Sequence, residues 1–279
     1  MAEPTKETAL VIRSIRHGET SRIVTMFGLT VGKFAVIAKG ARKAKGGGAL
    51  GTIDPPSYIE GMVYFKPTRS VQILGQVNLL DSFRNIKNDL TLTAFSAVVL
   101  EYINRFYTDG EPDKDLFLVA LETLKTLNTE EELKFDTKAH RSLTTALSLP
   151  YIILWLFQLD LIRLSGFEIN PFSCPICGKA LADLSRSNLL LVEHGAFCCH
   201  TCRPDSNNTI TLSGESVGLL RRLLQGERKN VQKVKASPIA QREITRALDR
   251  FLSYHNPQTG KSSALNMLEI LTRPAPADE

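Results

Sequence analysis

Two pairs of cysteines are the residues of this chain whose types and spacing point to the most specific chemistry. Cys174 and Cys177 are separated by two residues, as are Cys199 and Cys202, and 21 residues lie between the pairs. Each such turn holds two thiolates side by side, and two turns together can surround Zn²⁺ tetrahedrally. Four thiolates leave no coordination position for water, so we expect one structural zinc ion per chain and not a zinc hydrolase.

Three other side chains near the second pair are alternative metal ligands. Cys198 lies one residue too far from Cys202 for the same turn, and we interpret it as a packing residue. His194 or His200 could replace one cysteine, because imidazole also binds zinc. The cysteines could also be incidental loop residues, but the doubled spacing and the glycine that follows the first pair argue against this.

Two clusters of cations are candidates for binding a polyanion. The first precedes three consecutive glycines, and the second has one opposing acid, Glu227. Cations neutralise phosphates without requiring a particular base sequence, and glycines let the backbone approach closely. A solvated loop and a solvated helix face are the respective alternatives. The predicted DNA-binding residues are Lys33, Lys39, Arg42, Lys43 and Lys45 in the first cluster and Arg221, Arg222 and Lys229 in the second, with Arg228, Lys233 and Lys235 beside them.

The distribution of charge along the chain also points to a polyanion. The net charge is +5, but residues 1–80 carry 11 basic and 5 acidic side chains, and residues 211–279 carry 11 and 7. Residues 81–170 are acidic, with 9 basic and 14 acidic side chains. Basic ends around an acidic middle indicate that the polyanion binds at the ends.

Other functional classes are not supported by the sequence. Residues 259–262 resemble the end of a P-loop, but His255 stands where that motif needs glycine, so we expect no nucleotide cofactor. No set of catalytic side chains can be recognised, and we expect no enzyme. The apolar run 150–164 contains three polar side chains, which excludes a membrane span. The N-terminus lacks the apolar run of a secretory signal, so we expect a cytoplasmic protein with reduced thiols.

The pattern of hydrophobic residues changes from strands to helices near residue 80. Five short alternating segments separated by glycine-bearing turns predict a small barrel of the oligonucleotide-binding (OB) type. Helical spacing follows, with caps at Asp89, Ser213 and Ser237, and a further helix is predicted from about Thr137. We therefore predict a multi-domain α+β protein with a five-stranded OB-type barrel at 1–80, an α-helical domain at 81–170 and 208–279, and a four-cysteine zinc module that interrupts it at 171–207.

Three stretches of the chain resemble a known family, the bacterial recombination mediator RecO. They are ETALVIRSIRHGETSRIVTMFGLTVGKFAVIAKGARKAKGG at the N-terminus, WLFQLDLIRLSGFEINPFSCPICG around the first cysteine pair, and GAFCCHTC at the second. The resemblance runs from about residue 8 to 271. Its most specific feature is the order of barrel, helices, four-cysteine insertion and helices.

The resemblance implies a function without ATP. RecO proteins bind single- and double-stranded DNA, anneal complementary strands, and act with RecR to help RecA replace single-strand-binding protein (SSB). We also expect the helical domain to bind the acidic, aromatic-ended C-terminal tail of SSB, through Arg105, Lys138 and Arg141 or through the basic helices after Ser213. The alternative is an RNA-binding or transcription-associated adaptor that uses the same barrel and zinc parts.

Overall fold

The computed structural model describes residues 3–41, 51, 53–129, 148–181, 188–202, 204, 208–226, 234–256 and 262–272. These residues fall into two compact units. The first is Met1–Thr129 with Ser262–Leu268, and the second is Glu130–Lys261 with Glu269–Glu279. The helices that directly follow the strands thus belong to the same unit as the strands. The domain boundaries at residues 80, 170 and 207 stay predictions.

Five strands of the first unit form a closed barrel in the order β1-β2-β3-β5-β4. The β3–β5 pairing is parallel, and the other four pairings are antiparallel. This confirms the predicted fold class, in which a five-stranded OB-type barrel precedes a helical region. The strands are β1 Glu3–His17, β2 Ser21–Gly28, β3 Gly32–Ala38, β4 Ser57–Phe65 and β5 Val71–Asp81.

Alternate residues along each strand fill the interior of the barrel, as the two-residue period of a strand requires. In β3, Phe34, Val36 and Ala38 are buried, and the side chains between them are half-buried on the outside. Every strand contributes at least one buried residue to this core. Its other members include Ala9, Val11, Val24, Met26, Ile59, Val63 and Leu74.

Helices cover one part of the outer surface of the barrel. Phe27 of β2 points outward and is fully buried, with its ring centroid 5.6 Å from that of Tyr107 and 6.3 Å from that of Phe117. The cap predicted at Asp89 is confirmed, because its carboxylate accepts a hydrogen bond from the Leu92 amide at 2.9 Å. The helices of this part are α1 Arg84–Asn88, α2 Leu90–Phe106 and α3 Lys114–Leu127.

The second unit is built around a helix that is buried on most of its surface. Trp155 is fully buried in this helix, and its indole nitrogen donates to the Thr245 hydroxyl at 2.8 Å. Among the helices that the structure describes, none has the length and hydropathy to cross a membrane. The predicted helix near Thr137 lies outside the described residues. The remaining helices are α4 Ser148–Leu164, α5 Gly214–Leu224, α6 Pro238–His255 and α7 Ser263–Leu271, the last of which starts in the first unit.

The caps predicted for α5 and α6 are confirmed. The Ser213 hydroxyl accepts a hydrogen bond from the Ser216 amide at 3.3 Å, and the Ser237 hydroxyl accepts one from the Ala240 amide at 3.2 Å. Pro238 occupies the first position of α6, where a missing amide proton costs nothing. These local signals therefore fix where both helices begin.

A small sheet lies between α4 and α5 in the chain. Its strands are β6 Leu189–Leu191, β7 Ala196–Cys198 and β8 Thr209–Thr211, in the order β7-β6-β8. Gly195 precedes β7 with a φ of +59°, and a Cβ there would lie 2.3 Å from the carbonyl oxygen of Glu168. This close approach requires glycine and brings the chain before the first cysteine pair against β7.

Candidate functional site

The four predicted metal ligands come together in the structure. The sulphur atoms of Cys174, Cys177, Cys199 and Cys202 all lie within 4.8 Å of one another. The Cys177 and Cys199 sulphurs are 3.7 Å apart. A tetrahedron with metal–sulphur bonds of about 2.3 Å has edges of about 3.8 Å, so this spacing fits a metal bound by four thiolates.

The first cysteine pair lies on a tight turn held by backbone hydrogen bonds. The Gly178 amide donates to the carbonyl oxygen of Cys174 at 2.9 Å, and the Cys174 amide donates to that of Lys179 at 2.9 Å. Gly178 has a φ of +71°, a conformation that glycine adopts without strain. Because the turn closes on Cys174, this sulphur is buried while Cys177 stays exposed.

The second pair lies on a single helical turn directly after β7. The Cys202 amide donates to the carbonyl oxygen of Cys199 at 3.2 Å across this turn. Cys198 is the last residue of β7 and is 1% exposed, and the metal cluster found among the described residues does not include it. That agrees with its interpretation as a packing residue. His194 and His200 are exposed and are likewise outside the cluster.

The sulphurs differ in their affinity for protons. A hydrogen bond with the Thr201 hydroxyl lowers the pKa of Cys199 to about 6. Hydrogen bonds with the Cys177 and Cys199 sulphurs raise the pKa of Cys202. Thiolates at this distance repel one another unless a cation lies between them, so the donor set fits a structural metal ion.

Arg221, a predicted DNA-binding residue, is half-buried and hydrogen-bonds the backbone of the cysteine region. Its Nε and Nη2 donate to the carbonyl oxygen of Pro171 at 3.0 and 2.7 Å, and Nη2 also donates to that of Leu181. Its guanidinium lies 5.8 Å from the ring centroid of Phe172. Pro171 and Leu181 flank the first cysteine pair, so Arg221 connects α5 to both ends of that loop.

The sequence contains a signal for this role that charge counting missed. Arg221 lies four residues after Val217 and next to Leu220, on the stripe that α5 buries. A cation in phase with apolar positions is more typical of an internal hydrogen bond than of a solvated face. Arg222, one residue further on, is exposed.

Lys33, the first of the predicted cations on the barrel, also has partners inside its own unit. Its ammonium donates to the carbonyl oxygen of Asn104 at 2.8 Å and lies 3.6 Å from the carboxylate of Asp109. The side chain is 13% exposed. The structure thus places Lys33 at the packing of β3 against the end of α2, where it satisfies a helix carbonyl.

Lys39 is the one residue of the first cluster that the structure describes as exposed. It directly follows β3. Arg42, Lys43, Lys45 and Lys229 lie outside the described residues. Of the eight predicted DNA-binding residues the structure describes four, Lys33 and Lys39 in the first unit and Arg221 and Arg222 in the second. The role of all eight in binding DNA stays a prediction.

Two family models match the chain in the order expected from its sequence. The model for the N-terminal part of recombination protein O matches residues 1–83, which include the barrel. The model for its C-terminal part matches residues 141–264, which include the four cysteines.

Curated relatives match over nearly the whole length of both partners. The DNA repair protein RecO of Alkaliphilus metalliredigens is 28% identical over 265 residues, covering 95% of this chain and 97% of that protein. The protein of the same name from Bacillus pumilus is 24% identical over 269 residues, covering 96% of each. The barrel and the cysteine cluster agree with these matches, and the chain belongs to the recombination protein O family of DNA repair and recombination proteins.

Proposed function

We propose that this chain is a non-enzymatic recombination mediator. It binds single- and double-stranded DNA, anneals complementary strands, and with RecR helps to load RecA onto DNA coated with SSB. The observation that carries the proposal is the order of parts, in which a closed five-stranded barrel precedes helices and a four-cysteine cluster, over a chain that matches its family from end to end.

The metal in this proposal is a single zinc ion with a structural role. Four thiolates close the coordination sphere, and softer sulphur donors favour zinc over magnesium or calcium. The strands beside the cysteines are three residues each, so little regular structure holds the cysteine loops. Metal binding then supplies folding energy that this small module lacks.

The cations proposed to contact DNA fall into two groups, those with exposed side chains and those that already bind backbone carbonyls. Lys39 and Arg222 are exposed, and Arg42, Lys43, Lys45 and Lys229 belong to the same two clusters of the sequence. Lys33 and Arg221 hydrogen-bond backbone carbonyls, so their contribution to DNA affinity is indirect. Phosphate neutralisation by such side chains makes binding independent of base sequence and strongly dependent on salt.

The experiment that tests the proposed function is strand annealing on SSB-coated DNA. Two complementary strands labelled with a fluorescence donor and acceptor are coated with SSB, and the rate of annealing is followed with and without the protein. We expect acceleration without ATP. Annealing at the uncatalysed rate, over a range of protein concentrations and at low salt, would contradict the mediator function.

A competition experiment separates this function from the RNA-binding or transcription-associated adaptor. The protein is bound to labelled single-stranded DNA and challenged with unlabelled DNA or RNA of the same sequence. The mediator requires that DNA compete at least as well as RNA. Clear preference for RNA would favour the adaptor.

The tail of SSB is the proposed protein ligand of the helical part. Arg105 is paired with Glu101 at 3.3 Å and is 9% exposed, so it is a poor site for an acidic peptide. A cavity of about 370 Å³ between α4 and α5 is lined by Asp160 and Glu168 as well as by Arg163, and its two carboxylates would repel an acidic tail. Lys138 and Arg141 lie outside the described residues. The tail is thus expected on these two or on the basic residues of α5 or α6.

The side of α6 that includes Arg242, Arg246 and Arg250 fits such a tail best. These arginines recur every four residues, are exposed, and are followed by the exposed ring of Tyr254. Arg246 is paired with Glu269 at 2.8 Å, but 62% of its side chain stays exposed, against 9% for Arg105. A helix face of this kind offers cations for carboxylates and apolar surface for a terminal ring. We expect a peptide of the SSB tail to bind with micromolar strength, about −8 kcal/mol. Deleting its terminal Phe should weaken binding, and no binding at low salt would remove SSB as a direct partner.

A further inference from the structure

An uninterrupted row of apolar side chains crosses the outside of the barrel. Ile15 pairs with Ile23, Ile23 with Ile37, Ile37 with Ile73, and Ile73 with Tyr64, so one residue from each of the five strands lies in register. We call these five residues the outer row. Adjacent strands are about 4.8 Å apart, which makes the row about 19 Å long.

The outer row faces away from the core of the barrel. The residues that follow or precede its members, such as Val24, Val63 and Leu74, are the ones that fill the interior. Because successive side chains alternate between the two faces of a strand, the row must point outward. Ile15 is 45% exposed and Tyr64 is 38% exposed, and the three isoleucines between them are half-buried.

Another apolar row on the same outer surface is used in packing. Leu10 pairs with Phe27 on one side and Tyr58 on the other, and the rings of Phe27 and Tyr58 each lie 6.3 Å from the ring of Phe117 in α3. Leu10 and Phe27 are completely buried. The outer row thus differs from this packed row in remaining accessible to a ligand.

The ring of Tyr64 is supported from below by a glycine. A Cβ on Gly75 would lie 2.8 Å from Cε2 of Tyr64, so the ring lies across the position that a side chain would fill. Tyr64 is also 38% exposed, so part of this ring is open to solvent. The exposed part is a surface on which a planar group can stack.

Cations lie two residues along the chain from three members of the outer row. Arg13 precedes Ile15 within β1, so the two side chains share a face of that strand. Lys39 and Lys66 follow Ile37 and Tyr64, and each lies directly after the end of its strand. All three are exposed, and within the part of the chain that the structure describes none of them forms an ion pair. Glu60, the acidic residue of β4, is paired with Lys6 at 2.9 Å.

We propose that the outer row is a platform for the unpaired bases of single-stranded DNA, with Tyr64 stacking on one base and Arg13, Lys39 and Lys66 binding the flanking phosphates. An apolar strip bordered by cations matches a ligand that is planar and apolar at its bases and anionic along its backbone. The inference rests on the proposed function and adds to it the surface and the form of DNA that the barrel recognises.

Base contact at this surface has a consequence for selectivity. In a duplex the faces of the bases are stacked on each other and cannot reach Tyr64, whereas phosphates are exposed in both forms. The cations therefore bind both forms of DNA, and the outer row adds affinity for single strands alone. Such a surface favours strands that have not yet found their complement.

The test compares three DNA ligands and two variants of Tyr64. Affinities for an oligothymidylate, for an abasic strand of equal length and for a duplex are measured by fluorescence anisotropy. Removing the ring with Tyr64→Ala should weaken binding to the oligothymidylate about tenfold, and leave binding to the other two ligands within about twofold. Tyr64→Phe keeps the ring and should bind like the unchanged protein.

The matched control is Leu118→Ala, which removes an apolar side chain of similar exposure, 44%, on α3. It should leave the ratio of affinities for oligothymidylate and abasic strand unchanged. A direct readout is photocrosslinking of an oligonucleotide that contains iodouracil, followed by peptide mapping, which should identify the peptide that contains Tyr64. Unchanged circular dichroism of the variants verifies that the barrel is folded.

Three results would overturn the inference, each in a recognisable way. Oligothymidylate affinity that Tyr64→Ala does not change would show that bases do not stack on the outer row. Equal weakening for oligothymidylate and abasic strand would assign Tyr64 to the backbone. Loss of RecR binding with intact DNA affinity would make the row a protein interface. A protein that binds no DNA in any form would instead contradict the proposed function itself.

Discussion

The guanidinium of Arg221 donates from two of its nitrogens to the carbonyl oxygen of Pro171, at 3.0 and 2.7 Å. This one side chain also reaches the carbonyl oxygen of Leu181. The first cysteine pair lies in the loop between these two carbonyls. The position of the metal-binding turn relative to α5 thus depends on a side chain that binds no metal.

Arg221→Ala should loosen the metal site without removing a ligand. The change leaves two backbone carbonyls without their donor, at a cost of about 2 kcal/mol in the free energy of unfolding. We expect faster loss of zinc to a chelator and a lower Tm. Arg221→Lys should recover only part of the effect, because an ammonium cannot reproduce the planar fork of a guanidinium.

The control for Arg221 is its exposed neighbour. Arg222→Ala removes the same charge from α5 one residue further on, so it should leave the rate of zinc loss unchanged. Equal chelator kinetics for the two variants would mean that the contacts of Arg221 do not stabilise the metal site.

Removal of one cysteine should distinguish ligands from packing residues. Cys177→Ser should bind less than one zinc per chain, because the four-sulphur site loses a donor. Cys198→Ser should retain one zinc, since Cys198 is buried in β7 outside the cluster. Elemental analysis of the purified proteins measures both. Zinc retained by Cys177→Ser, or lost by Cys198→Ser, would show that the ligand set is wrong.

Local patterns in the sequence were sufficient for much of the fold. Alternating strands and glycine turns predict the barrel, and Ser213 and Ser237 start their helices where the sequence indicates. The spacing of the cysteines predicts the four ligands that the structure brings together. A helix cap and the amide it binds are only three residues apart, so the sequence pattern contains both. The cysteine spacing is a motif whose usual chemistry is a metal bound by four thiolates.

The roles that the sequence did not reveal are those of cations with distant partners. Lys33 binds a carbonyl 71 residues away, and Arg221 binds one 50 residues away. Charge counts treat such side chains as equivalent to exposed Lys39, because the count contains no information on packing. The outer row was missed for a related reason, since the pairing of five strands is needed to place Tyr64 in one row with four isoleucines.

Glu243 should make the stability of the second unit dependent on acid. It accepts hydrogen bonds from the Ser213 amide at 2.7 Å and the Ser216 hydroxyl at 2.6 Å, at the start of α5. Burial raises the pKa of this carboxyl, but these hydrogen bonds outweigh burial and lower its pKa below the usual 4.5. Its contribution to stability is therefore complete above pH 4.5 and disappears as pH falls through the lowered value.

The measurement is Tm against pH for the unchanged protein and Glu243→Gln. We expect the variant to have the lower Tm at neutral pH and the two curves to converge in acid below pH 4.5. Glu193→Gln is the control, since that carboxylate is exposed beside His194. A difference in Tm that persists unchanged at the lowest pH would show that the charge of Glu243 is not responsible.

Lys33 and Lys39 form a matched pair that separates packing from DNA binding. Replacing Lys39 and Arg42 together with Ala should weaken binding to every DNA sequence similarly, because both side chains are proposed to neutralise phosphates. For single strands each phosphate contact contributes about −0.7 to the slope of log affinity against log salt, so the slope should flatten by about 1.4.

Lys33→Ala should keep the slope and lower Tm instead, because its ammonium satisfies the carbonyl of Asn104 and lies 3.6 Å from Asp109. Titrations at several salt concentrations and thermal melts of the same preparations measure both effects. A slope that flattens for Lys33→Ala would show that Lys33 itself neutralises a phosphate. A slope that the double variant leaves unchanged would move the DNA contacts to the second cluster, Arg221 to Lys235.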